Sequence, residues 1–347
     1  MNIAFVITSL ANKGPVIVIK DIIDNLPMSW NVSIFYFDEI KEINFSSKVK
    51  LIKVDSFFSR INFENYDIVH SHLLRPDLFC FINRSTIQRH ISTLHSDMEN
   101  DLKMSHGKII SVFISYLWKS VLLFSDKVVF LTNTQRKKYN FIKNYSVIYN
   151  GRPVLTDDIS MDKQILEIKK DNSTCIFLGA CANIVKRKGF NQVIDLLTYK
   201  GGDKYFFILV GDGPELENIK SYAKNKKVYS RCIFIEKTHD VNKFLSVFDI
   251  FIMTSHSEGM PLSLLEAASH SLPIVCSSLD VVKEVFSNDE ISFYNYGDIE
   301  SLSLAVEKAV NNSDTLSKNI NMKFSKDYTD IVMSEKYQKL YINIVNK

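Results

Sequence analysis

Short apolar runs that are rich in β-branched and aromatic residues alternate with helical patterns along the whole chain of 347 residues. Such alternation is typical of parallel sheets whose strands are joined by right-handed crossovers. The first half has candidate strands at Ile3–Thr8, Val32–Phe37, Asp67–His70, His90–Leu94, Lys127–Leu131 and Ser146–Tyr149. The second half has them at Cys175–Gly179, Tyr205–Val210, Cys232–Ile235, Ile250–Met253, Ile274–Ser277 and Ser292–Tyr294.

These two sets of strands predict two consecutive α/β domains, each a Rossmann-like doubly wound parallel sheet. The polar segment 156–171 is the predicted join, so the domains are 1–155 and 156–328. Apolar residues at helical spacing between Ile331 and Ile344 predict a packed terminal helix over 329–347. In doubly wound sheets ligands bind at the carboxyl ends of the strands, and we expect a site where the two halves face each other.

The composition indicates a globular protein and argues against a nucleic-acid-binding one, but it does not identify a ligand. Hydrophobic residues make up 46% of the chain, charged residues 23%, and the formal net charge is +3, values that indicate an ordinary globular protein. The mild positive charge permits anionic ligands or an anionic membrane surface. The absence of a basic arm, an RNA-recognition signature or zinc-finger spacing argues against nucleic acid. The five scattered cysteines predict reduced core thiols, and the chain begins with a strand and no charged leader, so we expect a cytoplasmic protein.

The most apolar stretch, Ile109–Phe124, is interrupted by Lys119 and is shorter than the ~20 residues that span a bilayer. It therefore predicts no transmembrane helix. A helix lying in a membrane interface has this composition, and so does a buried core helix. The first alternative predicts peripheral attachment at the inner face of a membrane that holds a lipid-linked acceptor.

Two glutamates, Glu258 and Glu266, lie eight positions apart and bracket a Gly-Met-Pro turn that leads into a helix near Leu262. Backbone N–H groups at a helix N-terminus lack intrahelical partners and attract phosphate. Carboxylates beside a phosphate are suited to accept hydrogen bonds from flanking sugar hydroxyls. The segment therefore predicts a nucleotide-sugar site.

The glutamate pair resembles the Glu-x7-Glu signature of the retaining glycosyltransferases of the GT-B fold, family 4. Further segments resemble that family in the same order along most of residues 60–285. They are Ser125–Val129, Val147–Gly151, the turn Arg187-Lys188-Gly189 and the glycine turn Val210-Gly211-Asp212-Gly213-Pro214. The resemblance implies a terminal helix that packs back on the N-terminal domain.

The resemblance also implies roles for individual residues. Glu266 would accept hydrogen bonds from the ribose, Glu258 would hold hydroxyls of the donor sugar, and Lys188 would neutralise the departing diphosphate, with help from Arg187 or Lys186. The other positions implied in donor binding are Gly14, Gly211, Gly213, Gly259, Met260, Pro261 and Leu262. His95, just after a strand, would lie beside the donor sugar at the reaction centre.

Several of these residues have a plain structural alternative. The basic turn 186–188 is also consistent with a solvated surface turn, and a lone histidine such as His95 is more often structural. His70 and His72 have no nearby Cys or Asp partner for a metal, so we expect a structural or acceptor-side role for them. The chain also departs from the family, since most members carry an arginine where this chain has Ala180. The spacing from Gly179 to Lys188 is also longer than usual.

No Asp-x-Asp pattern occurs, so we expect no metal on the donor diphosphate and no cofactor. The predicted function is a retaining hexosyl- or N-acetylhexosaminyl-transferase that moves a sugar from a nucleoside-diphosphate donor to a glycan or lipid-linked acceptor. Bacterial surface polysaccharide synthesis, including lipopolysaccharide, is the expected context. Two alternatives stay open: a non-catalytic glycosyltransferase-like binding subunit, and a sugar-nucleotide epimerase of the same fold.

Overall fold

The structure, a computed structural model, describes residues 1–95, 108–155, 162–236, 238 and 240–346, and for 108–110 only the backbone. Ser96 and Asp97, which follow His95, and residues 156–161 of the predicted join therefore lie outside the described residues. The chain divides into two compact units. Unit 1 comprises residues 1–153 and 328–347, and unit 2 comprises residues 154–327.

Unit 1 contains a seven-stranded sheet in which every neighbouring pair is parallel, in the order β3-β2-β1-β4-β5-β6-β7. All five residues of β4 and of β5 are buried, because crossover helices cover the faces of the sheet centre. The strands are β1 Asn2–Leu10, β2 Asn31–Lys41, β3 Lys50–Lys53, β4 Ile68–His72, β5 His90–Leu94, β6 Lys127–Phe130 and β7 Tyr145–Val147. The helices are α1 Gly14–Asp24, α2 Leu74–Ile82, α3 Lys108–Leu122, α4 Asn133–Lys137 and the terminal helix, Asp330–Val345.

Unit 2 contains a six-stranded parallel sheet in the order β10-β9-β8-β11-β12-β13. Its strands are β8 Ile176–Cys181, β9 Tyr205–Val210, β10 Cys232–Ile235, β11 Ile250–Met253, β12 Ile274–Ser277 and β13 Ile291–Tyr294. Its helices are α5 Lys163–Asp171, α6 Asn191–Thr198, α7 Leu216–Asn225, α8 Asn242–Leu245, α9 Leu262–Ser269, α10 Asp280–Lys283, α11 Ile299–Asn311 and α12 Ser313–Asp327. The terminal helix Asp330–Val345 is hereafter α13.

Every strand that the apolar runs predict is present, the bounds of seven of them differ by one to four residues, and two differences have a structural reason. The edge strand β3 was not predicted, because its two lysines and largely exposed residues give no apolar run. β8 does not end at Gly179 but continues to Cys181, since Ala180 pairs with Leu209 and Cys181 with Val210 of β9.

The strand order of each sheet determines where its ligand-binding crevice lies, at the carboxyl ends of the strands. In both sheets the order reverses in the middle, between β1 and β4 in unit 1 and between β8 and β11 in unit 2. Loops that leave the carboxyl ends of the two strands at such a switch point diverge, and ligands of doubly wound sheets bind there. The segments that follow β8 and β11 carry Lys188 and Glu258, respectively.

The chain leaves unit 1 and returns to it at adjacent points. Arg152 donates its backbone N–H to Tyr328 O at 3.0 Å, and Asp330 N donates to Arg152 O at 3.0 Å. The Arg152 guanidinium also reaches Asp21 of α1 at 2.6 Å, where the carboxylate is 7% exposed. Burial raises the pKa of Asp21 to about 6 despite Arg152, and Asp330 and Asp24 add to the rise. Arg152 thus compensates a buried carboxyl in the helix on which α13 packs.

Replacing Arg152 by Met should lower the free energy of unfolding of unit 1 by about 3 kcal/mol, because it leaves the Asp21 carboxyl buried without its cation. Both tryptophans of the chain, Trp30 and Trp118, lie in unit 1, so their fluorescence in urea reports its unfolding. Adding Asp21→Asn should restore part of the loss. Lys53→Met, which removes an exposed pair with Glu39 in the same unit, should leave the stability of unit 1 unchanged. Equal losses of stability in Arg152→Met and Lys53→Met would contradict this account.

Candidate active site

A buried carboxylate holds two cations at the switch point of unit 2. Lys188 Nζ lies 2.7 Å from Glu258 Oε1, and an Arg187 guanidinium nitrogen lies 2.9 Å from Glu258 Oε2. The Glu258 side chain is 7% exposed and that of Lys188 is 12% exposed. We call these three side chains the Glu258 cluster. The structure thereby brings together three residues that the sequence analysis assigned to the site.

Backbone contacts fix the basic turn against the loop that carries the glutamate. The Thr254 hydroxyl donates to Lys188 O at 2.7 Å, and His256 N donates to Arg187 O at 2.8 Å. Gly189 closes the turn in the left-handed region with φ +64°, and a Cβ there would lie 2.5 Å from Thr254 O. The backbone of both cationic residues is therefore fixed by the segment that follows β11.

The charges of the Glu258 cluster do not cancel. Burial pushes the pKa of Glu258 upward, but Lys188 and Arg187 outweigh it and hold that pKa below its ordinary value. A carboxylate that is ionised between two cations leaves one net positive charge in a poorly hydrated place. Such a place favours an anion with several oxygens, because an ammonium carries three N–H donors and a guanidinium five.

The helix that follows adds to this positive potential. α9 begins at Leu262 after Pro261, whose side chain offers no acceptor, and its first turn contains no acidic residue. Gly259 and Met260, in the turn before it, are buried. The first N–H groups of a helix lack intrahelical acceptors and carry the positive end of its dipole. Because Glu258 lies four residues before α9, the cluster and this helix end are neighbours in the chain.

Glu266 occupies the second turn of α9 and is half-buried. Its charge reaches the end of β8, where burial first and then Glu266 raise the pKa of the Cys181 thiol well above its ordinary value. Of the two glutamates of the sequence pattern, Glu258 thus precedes the start of α9 and Glu266 lies one turn after it. Glu258 is paired with two cations, and Glu266 lies toward the end of β8.

The two glycines after β9 allow the neighbouring loop to come close. Gly211 and Gly213 have φ values of +138° and +155°. A Cβ on Gly211 would lie 1.9 Å from Ala182 O, and a Cβ on Gly213 would lie 2.3 Å from Ile184 O. Ile184 N also donates to Asp212 O at 2.7 Å. The structural reason for these glycines is therefore contact with segment 182–184, which leads directly into the basic turn.

Ala180, where most family members carry an arginine, is 2% exposed and belongs to the hydrophobic core of unit 2. A long cation could not occupy that position without displacing core side chains. β8 continues past Gly179 to Cys181, so two of the residues between Gly179 and Lys188 belong to the strand. Arg187 supplies a guanidinium at the Glu258 cluster.

In unit 1 the candidate His95 lies directly after β5 and pairs with His72 at the end of β4. His95 Nε2 and His72 Nδ1 are 2.6 Å apart. His70, two residues earlier, contacts the Tyr341 hydroxyl of α13 and Thr93 Oγ1, each at 2.8 Å. Gly14, the remaining candidate of this unit, is the first residue of α1 and follows β1 at the switch point.

The described part of the chain contains neither a metal-ligand cluster nor a membrane-spanning helix. No group of three or more His, Cys, Asp or Glu side chains is arranged there to hold a metal ion. Likewise, none of the described helices combines the length and the apolar character that crossing a membrane requires. All five cysteines are free thiols.

Sequence reasoning missed one residue that organises the site, Gln192, and the pairing of another, His72. Gln192 donates to Gly189 O at 3.1 Å and to Thr254 O at 3.2 Å and accepts from the Tyr294 hydroxyl at 3.1 Å, so it ties the basic turn to β13. For His72 the sequence analysis expects a structural or acceptor-side role, but its pairing with His95 was not predicted, because it depends on strand neighbours that are not adjacent in sequence. Only the order of β4 and β5 in the sheet brings these two side chains together.

Comparison with known proteins identifies the family. The model of the family described as glycosyl transferases group 1 matches residues 158–326. The O-antigen biosynthesis glycosyltransferase WclY of Escherichia coli is 31% identical over an alignment of 357 positions that covers 99% of each chain. The chain belongs to the glycosyl transferases group 1 family. This confirms the family that the sequence motifs predicted.

Other similar proteins extend the comparison. The UDP-Gal:alpha-D-GlcNAc-diphosphoundecaprenol alpha-1,3-galactosyltransferase of Escherichia coli is 23% identical and aligns with 84% of this chain and 79% of its own. The structure of Anabaena HepE in complex with UDP-glucose has a TM-score of 0.79 at 14% identity, covering 99% of this chain and all of that one. The predicted GT-B fold of two parallel-sheet domains is thereby confirmed.

Gly211→Ala should lower the stability of unit 2 by about 3 kcal/mol, because the new methyl group meets a backbone carbonyl that cannot move without shifting the basic turn. The matched control is Gly201→Ala, since Gly201 also has a positive φ, +76°, but no atom within 4 Å of the added Cβ. That variant should cost only about 1 kcal/mol, the cost of the left-handed backbone. Urea denaturation followed by circular dichroism compares the two, and equal losses would contradict the packing argument.

Proposed function

We propose that the protein is a retaining, metal-independent glycosyltransferase that moves a hexosyl or N-acetylhexosaminyl group from a nucleoside-diphosphate sugar to a glycan or lipid-linked acceptor. The proposed context is synthesis of a bacterial surface polysaccharide such as O-antigen. The observation that carries the proposal is the Glu258 cluster, with its net positive charge, beside the open N-terminus of α9 at the switch point of unit 2. The O-antigen function in the name of WclY supports the proposed context.

The donor diphosphate is the anion that this arrangement suits. The N–H groups at the start of α9, with the backbone of Gly259, Met260 and Leu262, would bind its oxygens, as helix N-termini bind phosphate. Glu266 lies one turn further along and would accept hydrogen bonds from the ribose hydroxyls. HepE, which has a similar fold, was solved with UDP-glucose, and this supports a nucleotide sugar as the donor.

Lys188 would act on the leaving group. When the glycosidic bond breaks, negative charge builds on the departing nucleoside diphosphate, and a fixed cation in a poorly hydrated site stabilises that charge strongly. Lys188 is held ready by Glu258 at 2.7 Å, and Arg187 remains to balance Glu258 if the lysine turns toward phosphate. Glu258 itself keeps lone pairs with which to hold hydroxyls of the donor sugar.

The Glu258 cluster also supports chemistry without a metal. It places two fixed cations beside a helix N-terminus, and together these supply the positive charge that a divalent ion supplies in other phosphate sites. No side chain of the cluster is a free carboxylate nucleophile, because both oxygens of Glu258 contact cations. This supports attack by the acceptor on the face from which the diphosphate leaves. Positioning and charge stabilisation would then supply the catalysis.

Slow donor hydrolysis tests the site without knowledge of the acceptor. The purified protein is incubated with a panel of UDP-, GDP- and ADP-sugars, and the released nucleoside diphosphate is measured. Lys188→Met should lower the maximal rate about 100-fold, because transition-state charge loses its cation. Glu266→Gln should raise the KM for the donor about tenfold, through loss of charge-assisted hydrogen bonds to ribose.

Lys220→Met serves as the control, because it removes the same charge from the same unit at the exposed pair with Glu217. Its kinetics should match those of the wild type. NMR of the freshly released sugar reads its anomeric configuration, which retention predicts to be unchanged. Full activity in both Lys188→Met and Glu266→Gln would contradict the assignment of the donor site. A released sugar with an inverted ring carbon would favour the epimerase alternative. Binding without turnover of any donor would favour the non-catalytic one.

A second part of the proposal concerns α3, whose apolar side faces outward. Phe113 is 72% exposed and Tyr116 is 68% exposed. The exposed apolar side chains, which we call the α3 stripe, share one helix face and the turn after it: Val112, Phe113, Tyr116, Leu117, Leu123 and Phe124. The opposite face buries Ser111 and Ser115 with Trp118, whose indole N–H donates to Asp77 at 2.6 Å. Of the two alternatives for this segment, the described residues favour the interfacial helix.

We propose that the α3 stripe contacts an anionic membrane surface. Cations border the apolar side chains: the Arg84 guanidinium lies 4.4 Å from the Phe81 ring centroid and 5.9 Å from that of Phe124, and Lys119 Nζ lies 5.9 Å from that of Tyr116. Aromatic bulk with basic neighbours is typical of helices that lie in a membrane interface. The related galactosyltransferase is named for a diphosphoundecaprenol acceptor, which supports a lipid-linked acceptor at the inner face of the cell membrane.

Sedimentation with liposomes tests the α3 stripe. The wild-type protein should bind vesicles of phosphatidylglycerol and phosphatidylcholine better than vesicles of phosphatidylcholine alone. Phe113→Ser should lower the partition coefficient about tenfold, because it removes an aromatic side chain from the interface. Leu304→Ser, at an exposed leucine of unit 2, is the control and should change nothing. Indifference of the wild type to anionic vesicles at low salt, or self-association through the stripe in ultracentrifugation, would contradict this part.

A further inference from the structure

Three histidines are buried at the centre of the unit 1 sheet, a fourth, His95, follows β5, and their ring nitrogens differ in how they are paired. Both nitrogens of His70 have partners, Tyr341 and Thr93. Both nitrogens of His90 also have partners, Ser71 Oγ at 2.7 Å and Ser125 Oγ at 3.1 Å. His72 and His95 are different, because one nitrogen of each is used for their mutual contact.

The contact between His72 and His95 is an in-line hydrogen bond. Their ring centroids are 4.9 Å apart with an interplanar angle of 28°. That separation is the sum of the 2.6 Å distance from His72 Nδ1 to His95 Nε2 and the two ring radii, so the rings meet end to end rather than face to face. One of the two nitrogens must carry the shared proton and the other must accept it.

The far nitrogens of the pair lie in different surroundings. His72 Nε2 is buried and has no hydrogen-bond partner among the residues that the structure describes. His95 is partly exposed, and within the same residues its Nδ1 makes no hydrogen bond. Burial holds both rings neutral: it lowers the pKa of His95 to about 3 and the pKa of His72 well below its ordinary value. Each ring therefore carries a single proton.

Only two proton arrangements satisfy the contact, and they differ in what is left buried. If His95 donates from Nε2, His72 must carry its proton on Nε2, as a buried N–H without an acceptor. If His72 donates from Nδ1, its buried Nε2 is a lone pair, and His95 carries its proton on Nδ1. Orphaned buried N–H groups are rarer in native proteins than under-used acceptors. The second arrangement is therefore favoured.

We propose that His72 is a positioning residue that donates its Nδ1–H to His95 Nε2 and thereby fixes His95 as the Nδ1–H tautomer. His95 then presents a hydrogen-bond donor, so it binds a substrate oxygen that has a free lone pair, on a sugar hydroxyl or on the diphosphate. It does not accept a proton from the attacking acceptor hydroxyl. The identity of that substrate rests on the proposed function, whereas the tautomer does not.

The strands supply the rigidity that such positioning needs. His72 pairs in register with Thr93 on the neighbouring strand β5, and His95 follows that strand by one residue. All residues of β4 are buried, and the His72 ring centroid lies 4.2 Å from that of His70, whose two partners fix it in turn. Rotation of His72 is thus restricted by a neighbour that is itself fully hydrogen-bonded.

Histidine tautomers can be read directly by NMR. Protein labelled with ¹⁵N only at histidine gives long-range ¹H–¹⁵N correlations in which protonated and bare ring nitrogens differ clearly. Spectra of His95→Gln and His72→Asn assign the two rings. The proposal expects a protonated Nδ1 and a bare Nε2 for His95 from pH 6 to 8. A protonated His95 Nε2 would overturn it.

Two substitutions of His72 separate positioning from plain packing. In His72→Asn the side-chain amide nitrogen takes about the place of Nδ1, so the donor is kept. In His72→Leu the donor is lost. The asparagine variant should keep the His95 tautomer and a rate within about threefold of the wild type. The leucine variant should lose the tautomer and lower the maximal rate 10- to 100-fold with little change in donor KM.

His270→Leu is the matched control, because His270 makes one ring contact, to Asn242 of unit 2 at 3.1 Å, and has no role in the proposal. Its His95 signals and its rate should equal those of the wild type. Equal rates and equal His95 tautomers in the asparagine and leucine variants would overturn the proposal. A wild type that hydrolyses no donor would instead contradict the proposed function, and the NMR result would still decide the tautomer.

Discussion

The pairing of one buried carboxylate with two cations is the interaction on which the donor site of this protein depends. Glu258 holds Lys188 and Arg187 within 2.9 Å at the end of a parallel sheet. Alone, either a buried glutamate or a buried lysine would carry a large desolvation cost and would shift its pKa toward the neutral form. Together they stay ionised and leave a surplus positive charge. That surplus is the chemical property that makes the place suitable for a pyrophosphate.

The fold brings these groups together through strand order. Lys188 follows β8 and Glu258 follows β11, strands that are distant in sequence but neighbours in the sheet, with Phe251 beside Gly179. The two glycines after β9 let segment 182–184 pack closely against the backbone of residues 211–213. This contact holds the start of the basic turn next to the loop that carries Glu258. The same logic operates in unit 1, where neighbouring strands β4 and β5 bring His72 to His95. Each unit thus builds its polar centre at the carboxyl ends of its central strands.

Local patterns in the sequence were sufficient for the strands and for the start of α9, because apolar runs and a proline–helix junction are local signals. They were not sufficient for β3, whose lysines and exposed positions resemble a loop. The Glu258 pattern was visible in the sequence, but its partners were not, since an ion pair between residues 70 positions apart depends on sheet order. The pairing of His72 was hidden for the same reason. The outward face of α3 could not be predicted either, because its apolar residues are equally compatible with a buried helix.

The measurement that tests the central claim most directly is calorimetric titration of the protein with a nucleoside diphosphate and with the matching monophosphate, for uridine, guanosine and adenosine. If the Glu258 cluster and the start of α9 form a pyrophosphate site, one diphosphate binds at least about tenfold more tightly than its monophosphate, since each further phosphate contact is worth about 1.5 kcal/mol or more. The preference should weaken in high salt. Equal affinities for diphosphate and monophosphate, or no heat with any of the three diphosphates, would contradict the account.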